Sequence, residues 1–204
     1  MLFRSDNVKM TGAPNRLRKT DDASVPTGDR YVLLFGAKDA HLFANPTPAQ
    51  IRAQLTDADR KMLAMRIGER SNIATEEARI HGPEFDAAKY APDQPSAPGI
   101  QLGSFNAGPG QDEDELAAWY AQWRMPCMQK LPGCVRVRKY ASVSGWAKHM
   151  ILYEFLSTRA RDAKFVEHEK VNPRMEEWTD VVVRKLVHAP GSPNLAARLY
   201  PPVV

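Results

Sequence analysis

The chain has 204 residues, 28 Lys and Arg against 24 Asp and Glu, and a formal net charge of +4. Hydrophobic residues at 43% and charged residues at 25% argue against wholesale disorder, collagen and coiled coil, and the length can bury a sizeable core. The basic residues divide evenly, 14 on either side of residue 100. Phosphate-driven affinity needs clustered cations, so nucleic acid is not an expected partner. No apolar run approaches 18 residues, so no membrane span is expected. The opening Met1-Leu2-Phe3-Arg4-Ser5 lacks the apolar stretch of a secretory signal. Cys127 and Cys134 make no disulfide framework, and a cytoplasmic location with reduced, buried thiols is expected.

Residues 1–29 mix Gly12, Pro14, Pro26 and Gly28 with polar residues, without periodicity, and read as a loosely docked N-terminal arm. Tyr31-Val32-Leu33-Leu34-Phe35-Gly36 is a short buried strand by composition and length. Asn45-Pro46-Thr47-Pro48 turns the chain into a helix. Ile51, Leu55, Met62, Met65 and Ile67 follow at helical spacing, and the pattern predicts helix again over 70–80, where Gly82-Pro83 stops it. Residues 84–90 read as a strand, and Pro92, Pro95, Pro98 and Gly99 as a linker. Residues 30–98 together are expected to form a degenerate first copy of the second half.

Beyond the linker, Ile100-Gln101-Leu102-Gly103-Ser104-Phe105 alternates like a strand. Asp112-Glu113-Asp114-Glu115 suits an acidic first helical turn. A metal site is the alternative, but no His or second carboxylate cluster follows at ligand spacing. Leu116, Trp119, Tyr120, Trp123 and Cys127 share one helix face, and Pro126 should kink or end that helix. After the Leu131-Pro132-Gly133 turn, residues 134–140 alternate, with Val135 and Val137 on one face and Arg136, Arg138 and Tyr140 on the other. Ser144-Gly145 makes a hairpin to a strand over 149–155. A helix over 158–170, a strand over 180–187 and a Pro/Gly-rich tail over 189–204 complete the chain. Strand, helix, strand, strand, helix, strand over 99–188 is the ferredoxin-like α+β order. Its helices cover one face of the sheet, and the other face must be buried by a partner subunit or a second repeat.

Several strings carry a resemblance: Trp119-Tyr120 followed by Pro126, Leu131-Pro132-Gly133-Cys134, Arg138-Lys139-Tyr140, Leu152-Tyr153-Glu154, and the tail His188-Ala189-Pro190-Gly191-Ser192-Pro193 with Arg198 and Pro201. In order and spacing, residues 99–204 resemble the EthD-like branch of the dimeric α/β-barrel superfamily. That family has a Trp-Tyr, any three, His, any one, Pro helix, a Pro-Gly-Phe turn, an Arg-Arg-Tyr strand and a Tyr-Leu-Ala-Leu-Tyr-Glu strand. The family His falls on Arg124, which stays protonated and cannot act as a base. The resemblance implies a homodimer and an apolar, often aromatic, small-molecule ligand held between sheet and helices without a metal. Its relatives include lactone isomerases, dehydratases or cyclases of aromatics, and monooxygenases.

His149 is the first candidate for proton transfer, sharing a strand face with Ile151, Tyr153 and Phe155, with the Tyr153 hydroxyl as its partner. A satisfied core histidine is the alternative. Arg138, with Arg136 or Arg124, could stabilise a developing enolate or phenolate, or be salt-bridged on a solvated face. Trp119, Tyr120 and Trp123 could wall in a flat ligand, or only fill the core; Tyr140, Phe155 and Arg184 complete the expected lining. His168 reads as exposed, and His41 and His81 flank turns. No dinucleotide, Walker or nucleophile-elbow string occurs, so no cofactor is expected. The leading expectation is a cofactor-independent lyase, dehydratase or isomerase working by proton abstraction on an aromatic or conjugated compound. The alternatives are a monooxygenase of the same barrel class and a non-catalytic binding or assembly module. The last would be favoured by a sheet–helix space lacking a cavity of about 300 Å³ or more.

Overall fold

A computed structural model describes residues 1–5, 17–28 and 30–203. The alternating segments of the second half are strands, as their period of two requires: β5 (Gly99–Asn106), β6 (Cys134–Ser144) and β7 (His149–Phe155). They join β1 (Leu2–Ser5), β2 (Arg18–Lys19), β3 (Tyr31–Leu33), β4 (Ile73–His81), β8 (Val187–His188) and β9 (Asn194–Tyr200). The result is one nine-stranded sheet in an α+β chain, ordered β3-β1-β9-β5-β7-β6-β4, with β8 beside β5 and β2 beside β8. Among the described residues only the short β2–β8 pairing is parallel.

Several segments differ from the sequence reading. Residues 31–36, expected as a buried strand, supply only the short β3, with Tyr31, Leu33 and Phe35 exposed. Residues 73–81 form β4 rather than helix. Ala74, Glu76, Ala78 and Ile80 turn inward and alternate with exposed Thr75, Glu77, Arg79 and His81, while β4 pairs antiparallel with β6. Residues 180–185 belong to helix α6 (Pro173–Lys185), not to a strand; the Asn172 side chain accepts from the Arg174 N–H and Pro173 opens the helix. These capping signals outweigh the β-branched Val181-Val182-Val183 run. The tail supplies β9, seated between β1 and β5. Residues 84–90 are turns, closed by the Phe85 N–H on the Gly82 carbonyl and the Tyr90 N–H on the Asp86 carbonyl. The N-terminal arm contributes β1 to the sheet, with Phe3 fully buried; the part of the arm at 6–16 and Asp29 lie outside the described residues. Residues 30–98, expected as a first repeat, place β3 at one end of the sheet and β4 at the other. Their helices α1 (Pro48–Ala53) and α2 (Asp57–Ala64) bury no residue.

On the other helices, α3 (Gln111–Trp119) starts in the acidic turn of Asp112, Glu113 and Asp114, whose charges suit a helix N-terminus. It continues through a π-helical turn (Tyr120–Arg124) into α4 (Met125–Met128). Helix α5 (Thr158–Lys164) and a 3₁₀ turn (His168–Val171) lead to α6. Helices α3 to α6 pack on the sheet face that carries Phe105, Val137, Ile151, Tyr153 and Phe155. With Leu116, Trp119, Met128, Phe165 and Val182 these form the main core. The opposite face carries Ile100, Leu102 and Leu152 against Phe3 and Ala196.

That second face was expected to need a partner or a second repeat. The chain's own segment between β4 and β5 lies on part of it. Glu154, fully buried, accepts two bonds from Arg136, at 2.8 and 3.0 Å, pairs with Arg138 at 2.8 Å and accepts the Ala97 N–H at 2.9 Å. Arg136 also donates to the Tyr90 carbonyl, and Arg138 to the Ser96 hydroxyl. Burial alone would raise the Glu154 carboxyl, but the two guanidinium groups outweigh it and hold it below its usual value.

Candidate active site

Pro126 has no N–H to give, so the helical ladder must break near it. The chain widens by one residue instead of ending: the Met125 N–H reaches the Tyr120 carbonyl five residues back. Widened turns of this kind gather at functional positions, and this one sets Tyr120 and Arg124 toward the sheet. The Trp119 indole N–H donates to the Thr179 hydroxyl at 3.1 Å and so ties α3 to α6. Between these helices and strands β5 and β7 lies a cavity of about 130 Å³. Its apolar walls include Phe105, Trp119, Ile151 and Phe165, and its polar groups include Arg124, Tyr153, Glu169 and His188.

Arg124 is the polar centre. Its Nε donates to the Tyr153 hydroxyl at 3.0 Å, and Nη1 meets His168 Nε2 at 3.1 Å and the Glu169 carboxylate. The guanidinium also lies 4.8 Å from the Phe165 ring centroid and 5.3 Å from that of Tyr153. Burial opposes its charge, but the Tyr153 and Glu169 oxygens outweigh burial and hold the proton more firmly than in a free arginine. Tyr120, wholly buried, is pushed well above its usual value, chiefly by burial; its hydrogen bond with Tyr153 adds to the rise by favouring the protonated Tyr120. The Tyr153 oxygen thus accepts from a cation while its own proton remains available to a bound molecule.

At the other end of the cavity wall stands His188. Burial, helped by the nearby Lys19 charge, pushes its pKa down to about 4. The ring bonds the Arg18 backbone in the sense that favours its proton, and Nδ1 has no partner. Nε2–H therefore faces the Arg18 carbonyl, which leaves Nδ1 of the neutral ring as a buried, unfilled acceptor. Gln101 pairs with Tyr153, and Phe105 with His188. Four residues of strand separate the two rows, about 13 Å. On the remaining wall Arg161, 1% exposed, donates to the Gln101 side chain at 2.8 Å.

Of the residues singled out from the sequence, Trp119, Tyr120, Arg124 and Tyr153 line this cavity. His149 shares the helix-covered face but is not in the cavity wall; it pairs with Glu113 at 2.7 Å and packs near Phe105, its Nδ1 unpartnered. Burial lowers its pKa, against the opposing bond from Glu113. Phe155 lies beneath, edge-on to Phe165. Trp123 is half-buried at the edge of the core. Arg136, Arg138 and Tyr140 are on the far side of the sheet, in register with Glu154, Leu152 and Met150. Neighbouring residues of a strand point to opposite faces, so Arg138 cannot act with Tyr153. Tyr140 there is pushed up to about 12 by burial. Arg184 is on α6 with its side chain 70% exposed, near Asp180.

The sequence reading missed Glu169, Phe165 and Arg161, and for His188, as for Arg184, it allows either an approach to the sheet face or a position in solvent. It took His168 as exposed, whereas burial first, and the Arg124 charge second, push this half-buried ring down to about 4. Of the two thiols, Cys134 is fully buried, and burial pushes its pKa to about 12. Among the described residues no group of three or more His, Cys, Asp and Glu is arranged to hold a metal, and no helix is long and apolar enough to cross a membrane.

No family model matches the chain, and no curated protein matches it. Among solved structures it is similar to that of a "putative monooxygenase" from Lactobacillus acidophilus NCFM, with 10% identity and a TM-score of 0.39 over 74% of this chain. The chain spans 64% of that structure's length, less than two thirds. A likeness at this level does not bear on what the chain binds.

Proposed function

We propose that the chain binds an aromatic or conjugated compound in this cavity and transfers protons on it without a cofactor, as a lyase or isomerase does. The observation that carries this reading is the buried Arg124 guanidinium held against the Tyr153 hydroxyl in an aromatic-walled cavity. As negative charge builds on a substrate oxygen, Tyr153 gives up its proton, and Arg124 stabilises the phenolate left behind. The proton leaving carbon passes to water in the cavity, because His188, four strand residues from the Tyr153 row, cannot reach a carbon next to that oxygen. One proton leaves carbon, one arrives on oxygen, and both return on reketonisation. The segment β5-α3-β6-β7-α6-β9 belongs to the same proposal as a ferredoxin-like unit, supported by the antiparallel order β9-β5-β7-β6.

A second reading has its own support. At about 130 Å³ the cavity is smaller than the roughly 300 Å³ at which natural small-molecule sites begin, which fits a binding module without turnover. Acetophenone in D₂O separates the two. Deuterium entering its methyl group faster than in buffer, and a loss of about 10²- to 10⁴-fold on Tyr153→Phe, supports catalysis. Binding without exchange leaves the module. Oxygen consumption would point to a monooxygenase instead, and absence of binding would overturn both readings.

A further inference from the structure

A second space of about 170 Å³ lies against the other side of Tyr120, between β4 and β6 below and α3 with its π-helical turn above. Its walls are Ala78, Ala117, Ala121 and Met125, and the buried ammonium of Lys139 borders it beside Glu77. Ala117 and Ala121 are exposed, so this cleft opens at the helix surface. Tyr120 belongs to both spaces. Its hydroxyl bonds Tyr153 in the first, and its ring lies 5.3 Å from the Lys139 ammonium in the second. Small alanine side chains leave room for a flat group, and a cation over an aromatic ring favours another ring in the same place. Neither space alone reaches the roughly 300 Å³ of natural small-molecule sites, whereas the two together do.

We propose that the cleft behind Tyr120 is a second binding compartment that takes an aryl extension of the ligand, and that Tyr120 is the specificity-determining partition between the two. The ligand is then a two-ring compound: one oxygen-bearing ring against Tyr153 and Arg124, and an apolar ring between Ala78, Ala121 and Met125. In this structure the Tyr120 ring stands between the two spaces, and it must swing aside for one ligand to occupy both. This inference rests on the cavity of the proposed function as the seat of the first ring.

Calorimetry with phenol and 4-phenylphenol tests it, with Ala121→Leu as the filled-cleft variant. The wild-type chain should bind 4-phenylphenol at least about tenfold more tightly than phenol. Ala121→Leu should erase that advantage and leave phenol unchanged, because Ala121 does not touch the first cavity. Equal affinity for the two phenols in the wild-type chain, or an advantage that survives Ala121→Leu, would overturn the proposal. A benzene titration followed at the alanine methyl resonances separates its failure from that of the first site. Saturable shifts at Ala78, Ala117 and Ala121 that Ala121→Leu abolishes support the compartment even if phenol fails to bind. Absence of such shifts overturns it even if phenol binds.

Discussion

His168 and His188 make stability depend on acidity in a calculable way. Burial lowers both from the usual 6.5 to about 4, so each is neutral in the folded chain where the unfolded chain is protonated. As pH falls below 6.5, the unfolded state takes up protons that the folded state refuses. Stability is then lost down to about pH 4, below which both states are charged. A drop of this size corresponds to roughly 3 kcal/mol per histidine when fully developed, of which about 2 kcal/mol is expressed near pH 5. The lowered carboxylates Glu113 and Glu154 contribute stability above the unfolded carboxylate range and still do so at that pH. Urea unfolding should therefore show a loss of about 4 kcal/mol or more between about pH 7.5 and pH 5. His188→Gln keeps a donor within reach of the Arg18 carbonyl but does not titrate, and should reduce that loss by about 2 kcal/mol. The same pH slope in wild type and variant would refute the assignment of His188 as a buried neutral ring.

Glu154→Gln leaves Arg136 and Arg138 as buried cations without a counter-charge, and should cost about 3–5 kcal/mol, read as a fall in the urea midpoint at unchanged slope. Phe3→Ala empties a fully buried position of the second face and should cost about 3–5 kcal/mol in the same assay. A loss below about 1 kcal/mol would mean that β1 is not part of the cooperative unit.

Strands β5, β6 and β7 were legible because alternation survives burial of one face, as was α3 from its acidic first turn. Residues 73–81 show the limit of that logic. Their side chains alternate too, but Ala, Glu and Arg are good helix formers, and only pairing with β6 decides the outcome. In α6 the error was opposite: three successive valines suggested a strand, while Asn172-Pro173 starts a helix. For the site, Trp119 and Tyr120 share one helix face and could be read by spacing, whereas Arg124 entered only as the position of the family His in the resemblance. Arg138 and Tyr153 lie on different strands, and whether they share a face depends on inter-strand register, which residue types alone leave open. His188, Glu169 and Phe165 are brought in by the folding of α5, the 3₁₀ turn and β8 around Arg124, and carry no local pattern that announces a wall.

The widened turn at Tyr120–Arg124 has an implication for how such a chain can change over generations. Each helical residue advances the direction of a side chain by about 100°. Deleting one residue within the turn would restore an ordinary ladder up to Pro126, yet swing either Tyr120 or Arg124 off the cavity. A three-nucleotide deletion would thus spare the helix and cost the cavity either its buried phenol or its cation. Drift in this lineage would then tolerate swapped side chains along α3 far more readily than a change in its length.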